Sequence, residues 1–170
     1  MERPQHFSAG IGSDTDRFIG IPGVRRMLHL YWSFARGMTL GVRGAVLDAD
    51  NRVFLIRHTY TPGWHLPGGG VEPGESALES LGRELAEEAC IASTEEPSLH
   101  GIFFNRLASS RDHVLVYVLR RFEVLAEKRP DREIAESGWF GLDALPPDAS
   151  RPTRERLAEI AGQRPVAPDW

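Results

Sequence analysis

The sequence predicts an α/β or α+β domain built around a mixed β-sheet, and three observations carry that expectation. Short apolar runs of strand length are interleaved with amphipathic helical segments, the order that builds a sheet covered by helices. A tract dense in glycine and proline separates one strand from one helix, so a long loop lies between them. A chain of 170 residues has room for one core and a decorating helix at either end.

Residues 1–20 are polar, contain glycine and show no period, which reads as a loose arm. From Ile21 to Met38, Val24, Met27, Leu28, Tyr31, Ala35 and Met38 recur at helical spacing, with Pro22 near the start. This predicts an amphipathic helix whose apolar face packs on its own domain or across a homodimer interface, in preference to a membrane surface. Leu40 to Leu47 reads as a strand, Asp48 to Asn51 as a turn, and Arg52 to His58 as the returning strand of a hairpin. Thr61 to Gly74 is loop, and a helix follows from Ser76 to about Ala89. Leu99 to Phe104 and Val114 to Phe122 are further strands, the second apolar enough to be buried on both faces. Ser137 to Phe140 is a short strand, Arg151 to Ala161 a final helix, and the rest an irregular tail. The expected organisation is an arm and helix over 1–38, a main domain over 39–162 and a tail over 163–170.

Composition bounds the function. A net charge of −4 argues against a nucleic-acid partner held by overall charge. One cysteine, Cys90, permits no intramolecular disulfide and no multi-cysteine zinc site. No run of about 18 apolar residues suggests a membrane span. The start of the chain lacks the basic–apolar–small order of a secretion signal, so a cytoplasmic protein is the default.

The helix from Ser76 holds the chemistry. Ser76-Ala77-Leu78-Glu79 is a capping box. Leu78, Leu81, Leu85 and Ala89 form an apolar stripe that should face the core. Glu84, Glu87 and Glu88 fill an adjoining sector, at a cost of roughly 0.2–0.5 kcal/mol per like-charge pair. An exposed acidic face would absorb that cost without any function. The preceding Pro67-Gly68-Gly69-Gly70 tips the balance, because glycines let backbone approach closely and can aim a carbonyl at a hard cation beside carboxylates.

Gly69, then five residues, Glu75, then seven residues and Arg83-Glu84-Leu85-Ala86-Glu87-Glu88-Ala89-Cys90-Ile91 resembles the Nudix box, G-x5-E-x7-R-E-U-x-E-E-x-G-U. Eight of nine specified positions match over 23 residues, and the Leu66 to Gly70 lead-in, Trp139-Phe140 and Leu145-Pro146 are similar to other landmarks of that family. The departure is Cys90, where the family usually has glycine. A cysteine there either adopts the left-handed geometry that glycine favours or ends the helix differently.

The resemblance implies a Nudix-type α/β/α sandwich and hydrolysis of a nucleoside diphosphate linked to another group, with Mg²⁺ as cofactor and Mn²⁺ as its substitute. It makes Glu87 and Glu88 the principal metal ligands, Glu84 a further ligand or general base, the Gly68 carbonyl a backbone ligand, and Arg83 the residue that orients Glu84. Gly69 and Glu75 would be structural members of the box. Glu133 is the expected additional carboxylate from a downstream loop, ahead of Glu136 and Asp131. The substrate would be nucleotide-like, with Tyr60, Trp64, Arg111 and His113 as candidate contacts, although Trp64 and Tyr60 would serve equally as packing beneath the loop. Intact glutamates argue against a catalytically silent nucleotide-binding member. The position of Cys90 argues against the isomerase branch, which uses a catalytic cysteine.

Overall fold

The computed structural model describes residues 37–170, so the arm and nearly all of the helix predicted over 1–38 lie outside the described residues. Strand β1 (Thr39–Val46) is followed by β2 (Arg52–His58), helix α1 (Ala77–Glu84) and the short strand β3 (Ile91–Ser93). Then come β4 (Ser98–Phe104), β5 (Asp112–Leu119), β6 (Phe122–Val124), β7 (Ile134–Gly141) and helix α2 (Arg151–Ile160). The sheet at the centre has the order β1-β5-β4, with β1 parallel and β4 antiparallel to β5. The apolar run of β5 takes the middle place, where both of its faces are covered.

Alternation along the strands sends side chains to two cores. Val42 and Val46 of β1, with Leu115, Tyr117 and Leu119, pack against Leu81, Leu85 and Ala89 of the helix after the glycine loop. Ala45 and Leu47, with Val114, Val116 and Phe103, pack toward Trp64, Leu66 and Leu157 of α2. Helices therefore cover the sheet on both sides. Leu78, expected in the apolar stripe of α1, is instead 38% exposed, because the core contact begins one turn later at Leu81.

The hairpin expected from β1 and β2 does not form. Asp48 to Asn51 does turn, with the Asp48 carboxylate accepting from the amides of Asp50 and Arg52. But β1 and β2 share a single bridge, Leu47 to Val53, and β2 pairs along its length with β7. The reason is that both edges of β1 are taken. One is paired with β5; the other is hydrogen-bonded to the glycine loop through Val42 N–H to Gly69 O (2.8 Å), Gly44 N–H to Pro67 O (2.8 Å) and Val71 N–H to Leu40 O (2.9 Å). The strand predicted over Val114 to Phe122 also breaks, its end becoming β6, which pairs with β3. The C-terminal segment carries no helix, yet Trp170 N–H bonds Phe104 O at 3.0 Å and ties it to β4.

Helix α1 starts as the sequence requires, with the reciprocal Ser76–Glu79 capping box in place. It then widens into a π-helical turn over Leu85–Ala89, ending at Cys90 with φ 54° and ψ 40°. Cys90 N–H bonds Leu85 O, an i→i+5 closure, and Leu125 N–H bonds Cys90 O. Left-handed geometry costs a non-glycine residue roughly 1–2 kcal/mol, and glycine returns about 0.4–1 kcal/mol of that through its freer unfolded chain. Cys90→Gly is accordingly expected to raise unfolding stability by about 0.5–1 kcal/mol, measured by urea denaturation against the parent protein.

Candidate active site

The glycine loop lies against the edge of β1, and two neighbouring glycines there do different things. Gly68 has φ 137°, and a Cβ on it would stand 2.1 Å from Val42 O. Gly69 leaves room for the Glu84 carboxylate: a Cβ there would stand 2.3 Å from Glu84 Oε1. The Gly68 amide donates to Glu88 Oε2 at 2.6 Å, and its carbonyl accepts from the Arg43 guanidinium. Gly70 O accepts from Ser80 Oγ (3.0 Å) and Arg83 Nη2 (3.2 Å), fixing the loop to α1.

Arg83 is the hub of the outer side. Its Nε and Nη2 take both oxygens of Glu75 (2.9 and 3.2 Å), and its Nη1 donates to Glu84 Oε1 (2.7 Å) and approaches Glu87 (3.4 Å). This fork geometry is specific to guanidinium. Bonds to Glu75 and Glu84 push the Arg83 pKa up, and the bond from Arg83 holds the Glu75 carboxyl below its usual range.

The three helix carboxylates part company. Glu88, seven residues after Leu81 and so beside the apolar stripe, is buried with its side chain 6% exposed, whereas the Glu87 side chain is 63% exposed. Burial pushes the Glu88 pKa up to about 7, against the opposing pull of the Gly68 amide and Arg43. What converges on Glu88 is Glu133, from the loop before β7, and His58, at the end of β2. One potential ligand atom from each lies within 4.8 Å of the others. Tyr60 donates its hydroxyl to Glu133 Oε1 (3.0 Å) and stacks on His58 at 4.9 Å between ring centroids. Burial, then the Glu133 carboxylate, pushes the Tyr60 hydroxyl up to about 12. Beside the cluster opens a cavity of about 270 Å³ lined by Arg43, His58, Tyr60, His65, Leu66 and Trp170, among others.

The family model for the NUDIX domain matches residues 37–160. The chain belongs to the Nudix family. Among curated relatives it is 30% identical over 104 residues to an ADP-ribose pyrophosphatase of Methanocaldococcus jannaschii, covering 59% of this chain and 61% of that one. It is 30% identical over 132 residues to a human 8-oxo-dGDP phosphatase, covering 72% of this chain and 38% of the relative. The aligned part thus spans less than two thirds of either relative. Among solved structures, a MutT NUDIX hydrolase from Burkholderia pseudomallei superposes with a TM-score of 0.62 at 28% identity, over 72% of this chain and 97% of that one.

Of the residues singled out by the Nudix resemblance, the structure gathers Glu84, Glu88, Gly68, Gly69, Glu75 and Arg83 around the loop, and brings Glu133 to Glu88. The two alternatives to Glu133 are engaged elsewhere. Asp131 accepts from the Glu133 and Ile134 amides and pairs with Lys128, which holds its carboxyl well below the usual range, and Glu136 pairs with Arg57. Trp64 does not reach the cavity: its backbone bonds the segment Asp148 to Ser150, and its ring is buried in the second core, edge-on against Phe140 at 4.8 Å. Arg111 just before β5 and His113 at its start do not line the cavity. His113 stacks on Phe104 at 5.2 Å, held there by the β4–β5 register that sets the two side by side.

Two residues escaped the sequence reading. Arg43 lay in a strand, but alternation puts it on the face of Ala45 and Leu47, so a charge stood in a row of core positions. Burial lowers its pKa, opposed by Glu88 and Glu84. His58 carried no signal beyond its place just before the loop; burial lowers its pKa too.

Gly68→Ala drives a Cβ into backbone and should cost about 3 kcal/mol or more, or abolish folding, seen as lost cooperative melting in circular dichroism. Gly69→Ala meets a side-chain terminus instead, and should keep the fold while displacing the Glu84 carboxylate from Arg83, visible in a crystal structure. The raised Glu88 pKa also makes a pH prediction. Between its ordinary value of 4.5 and about 7 the folded state binds more protons than the unfolded one, so stability falls as pH rises through that window. In chelator, Glu88→Gln should remove this slope and gain roughly 1–3 kcal/mol at about pH 8, read from urea titrations at about pH 5.5 and about pH 8.

Proposed function

We propose that the chain is a metal-dependent hydrolase that cleaves a phosphoanhydride bond in a nucleoside diphosphate linked to another moiety. The observation that carries this reading is the meeting of Glu88, fixed on the Gly68 amide, with Glu133 from a distant loop. A buried carboxylate whose charge is disfavoured by its surroundings is a site that a cation would stabilise. The donor set suits it: carboxylate oxygens and a backbone carbonyl are the ligands of hard divalent ions, Mg²⁺ with Mn²⁺ substituting.

In this reading Glu84, Glu87, Glu88 and the Gly68 carbonyl hold the ion. Gly68 O keeps a second lone pair beside its bond from Arg43. When bound, the ion supplies charge neutralisation of the diphosphate and polarisation of its phosphorus–oxygen bonds. Arg83, clamped by Glu75, sets the direction of the Glu84 carboxylate. Glu133, exposed at the rim and steered by Tyr60, takes the proton of the attacking water and returns it to solvent. The cavity walled by Arg43, Tyr60, His65 and Trp170 receives the part of the substrate beyond the diphosphate. The two relatives are an ADP-ribose pyrophosphatase and an 8-oxo-dGDP phosphatase, both named for nucleotides with a diphosphate, which supports a small nucleotide-type substrate. No helix of the described residues is long and apolar enough to cross a membrane, and a single cysteine fits work in the cytoplasm.

The test is a panel of nucleoside and deoxynucleoside triphosphates, 8-oxo-dGDP, ADP-ribose, nucleotide sugars, dinucleoside polyphosphates and capped RNA, assayed with Mg²⁺. Turnover on one class should fall by about a hundredfold or more in Glu88→Gln, which keeps an acceptor for the Gly68 amide. Tight nucleotide binding without turnover on any of them would replace the hydrolase with a catalytically silent nucleotide-binding protein.

A further inference from the structure

His58 and Glu133 are the members of the cluster that the box does not supply, and His58 is the only nitrogen donor among the three. Its side chain is 7% exposed, and its Nε2 faces Glu88 Oε1 at 3.7 Å, beyond hydrogen-bonding distance. Its Nδ1 is buried with no hydrogen-bond partner among the described residues. Two other histidines recover the cost of burial: His65 bonds the Pro62 carbonyl at 2.9 Å and His100 bonds Glu159 at 3.1 Å. The His58 ring is nonetheless held in place, stacked on Tyr60 and 5.9 Å from His65. The fold thus holds a buried imidazole nitrogen beside two carboxylates without a hydrogen bond to either.

We propose that His58 Nε2, Glu88 Oε1 and a Glu133 oxygen form a cation site of one nitrogen and two oxygen donors, selecting a first-row transition metal ion such as Mn²⁺ over Mg²⁺. The inference rests on the reading of Glu88 as a metal ligand and adds to it a second position. Glu88 Oε2 is turned to the Gly68 amide and Oε1 to His58, so the two oxygens face different sides. Donors about 2.0–2.2 Å from one ion lie at most about 4.4 Å apart, and the three here lie within 4.8 Å of one another, so small rotamer changes close the site. Imidazole favours the transition series, whereas Mg²⁺ seeks oxygen and keeps its waters. Tyr60, donating to Glu133 Oε1, is the outer partner that orients this carboxylate. The Arg43 guanidinium is the adverse charge nearby, but Glu88 and Glu84 offset it and it is already engaged by the Gly68 carbonyl.

The experiment uses Mn²⁺ alone, without substrate: its affinity from the free-ion electron paramagnetic resonance signal, and pulsed resonance of the bound ion for coupling to nitrogen. Wild-type protein should show imidazole nitrogen coupling. His58→Gln should lose it and bind Mn²⁺ at least about tenfold more weakly, with Mg²⁺ affinity changed far less. Glu133→Gln should weaken Mn²⁺ binding while keeping the nitrogen signal. A wild-type Mn²⁺ complex without nitrogen coupling, or no bound Mn²⁺ at all, overturns the site whatever the variants do. Mg²⁺-dependent turnover persisting in that case leaves the hydrolase reading standing. Nitrogen-coupled Mn²⁺ in a protein that binds a nucleotide of the panel tightly but turns over none supports the site and removes the hydrolase.

Discussion

The structure depends on the seating of one short loop on one strand edge. Pro67 to Val71 hydrogen-bonds to β1 as a further strand would, and Gly68 fits only because it has no side chain to meet Val42 O. From that seat the loop offers an amide to Glu88 and a carbonyl to Arg43, so it determines where a buried anion and a buried cation stand. The missing hairpin follows from the same contact. With its free edge occupied, β1 cannot pair with β2, which goes instead to β7 and carries His58 and Tyr60 toward the loop that holds Glu133.

Charge is distributed on the two sides of this loop by different rules. On the outer side Arg83 gathers Glu75, Glu84 and Glu87 in a half-exposed network, where each bond is solvated and individually modest. On the inner side Arg43, Glu88 and His58 are withdrawn from water, and burial opposes the charge of all three. Such groups are costly to the fold and are kept where chemistry needs them. The π turn carries one carboxylate to each side, Glu88 to the inner and Glu87 to the outer, and it ends in the left-handed Cys90. Lys128, donating to the Glu87 carbonyl at 2.7 Å, caps that widened end.

Much of this was legible in the sequence by itself. The capping box at Ser76, the loop from Thr61 to Gly74, the buried run of β5, helix α2 and the mixed sheet were all readable from local pattern. Each is set by neighbours within a few residues or by simple alternation. The box residues were readable for the same reason, being fixed at constant spacing along one loop and helix. Glu133 was identified by a resemblance of spacing to Trp139, and its place beside Glu88 needed the pairing of β2 with β7.

What only the tertiary structure decided is which side chains face one another across elements distant in the chain. Arg43 and His58 look like ordinary strand residues in the sequence, and become site residues only when the loop and the Glu133 segment close over them. Trp64 looks like a stacking platform and becomes core, because its backbone pairs with the distant Asp148 to Ser150 segment and its ring packs against Phe140. The three glutamates look like one face and are divided, because the glycine loop covers Glu88 and bonds it while Glu87 is left in solvent. Local sequence sets the spacing of donors along a chain; their convergence is set by strand pairing and burial, which depend on contacts between residues far apart in sequence.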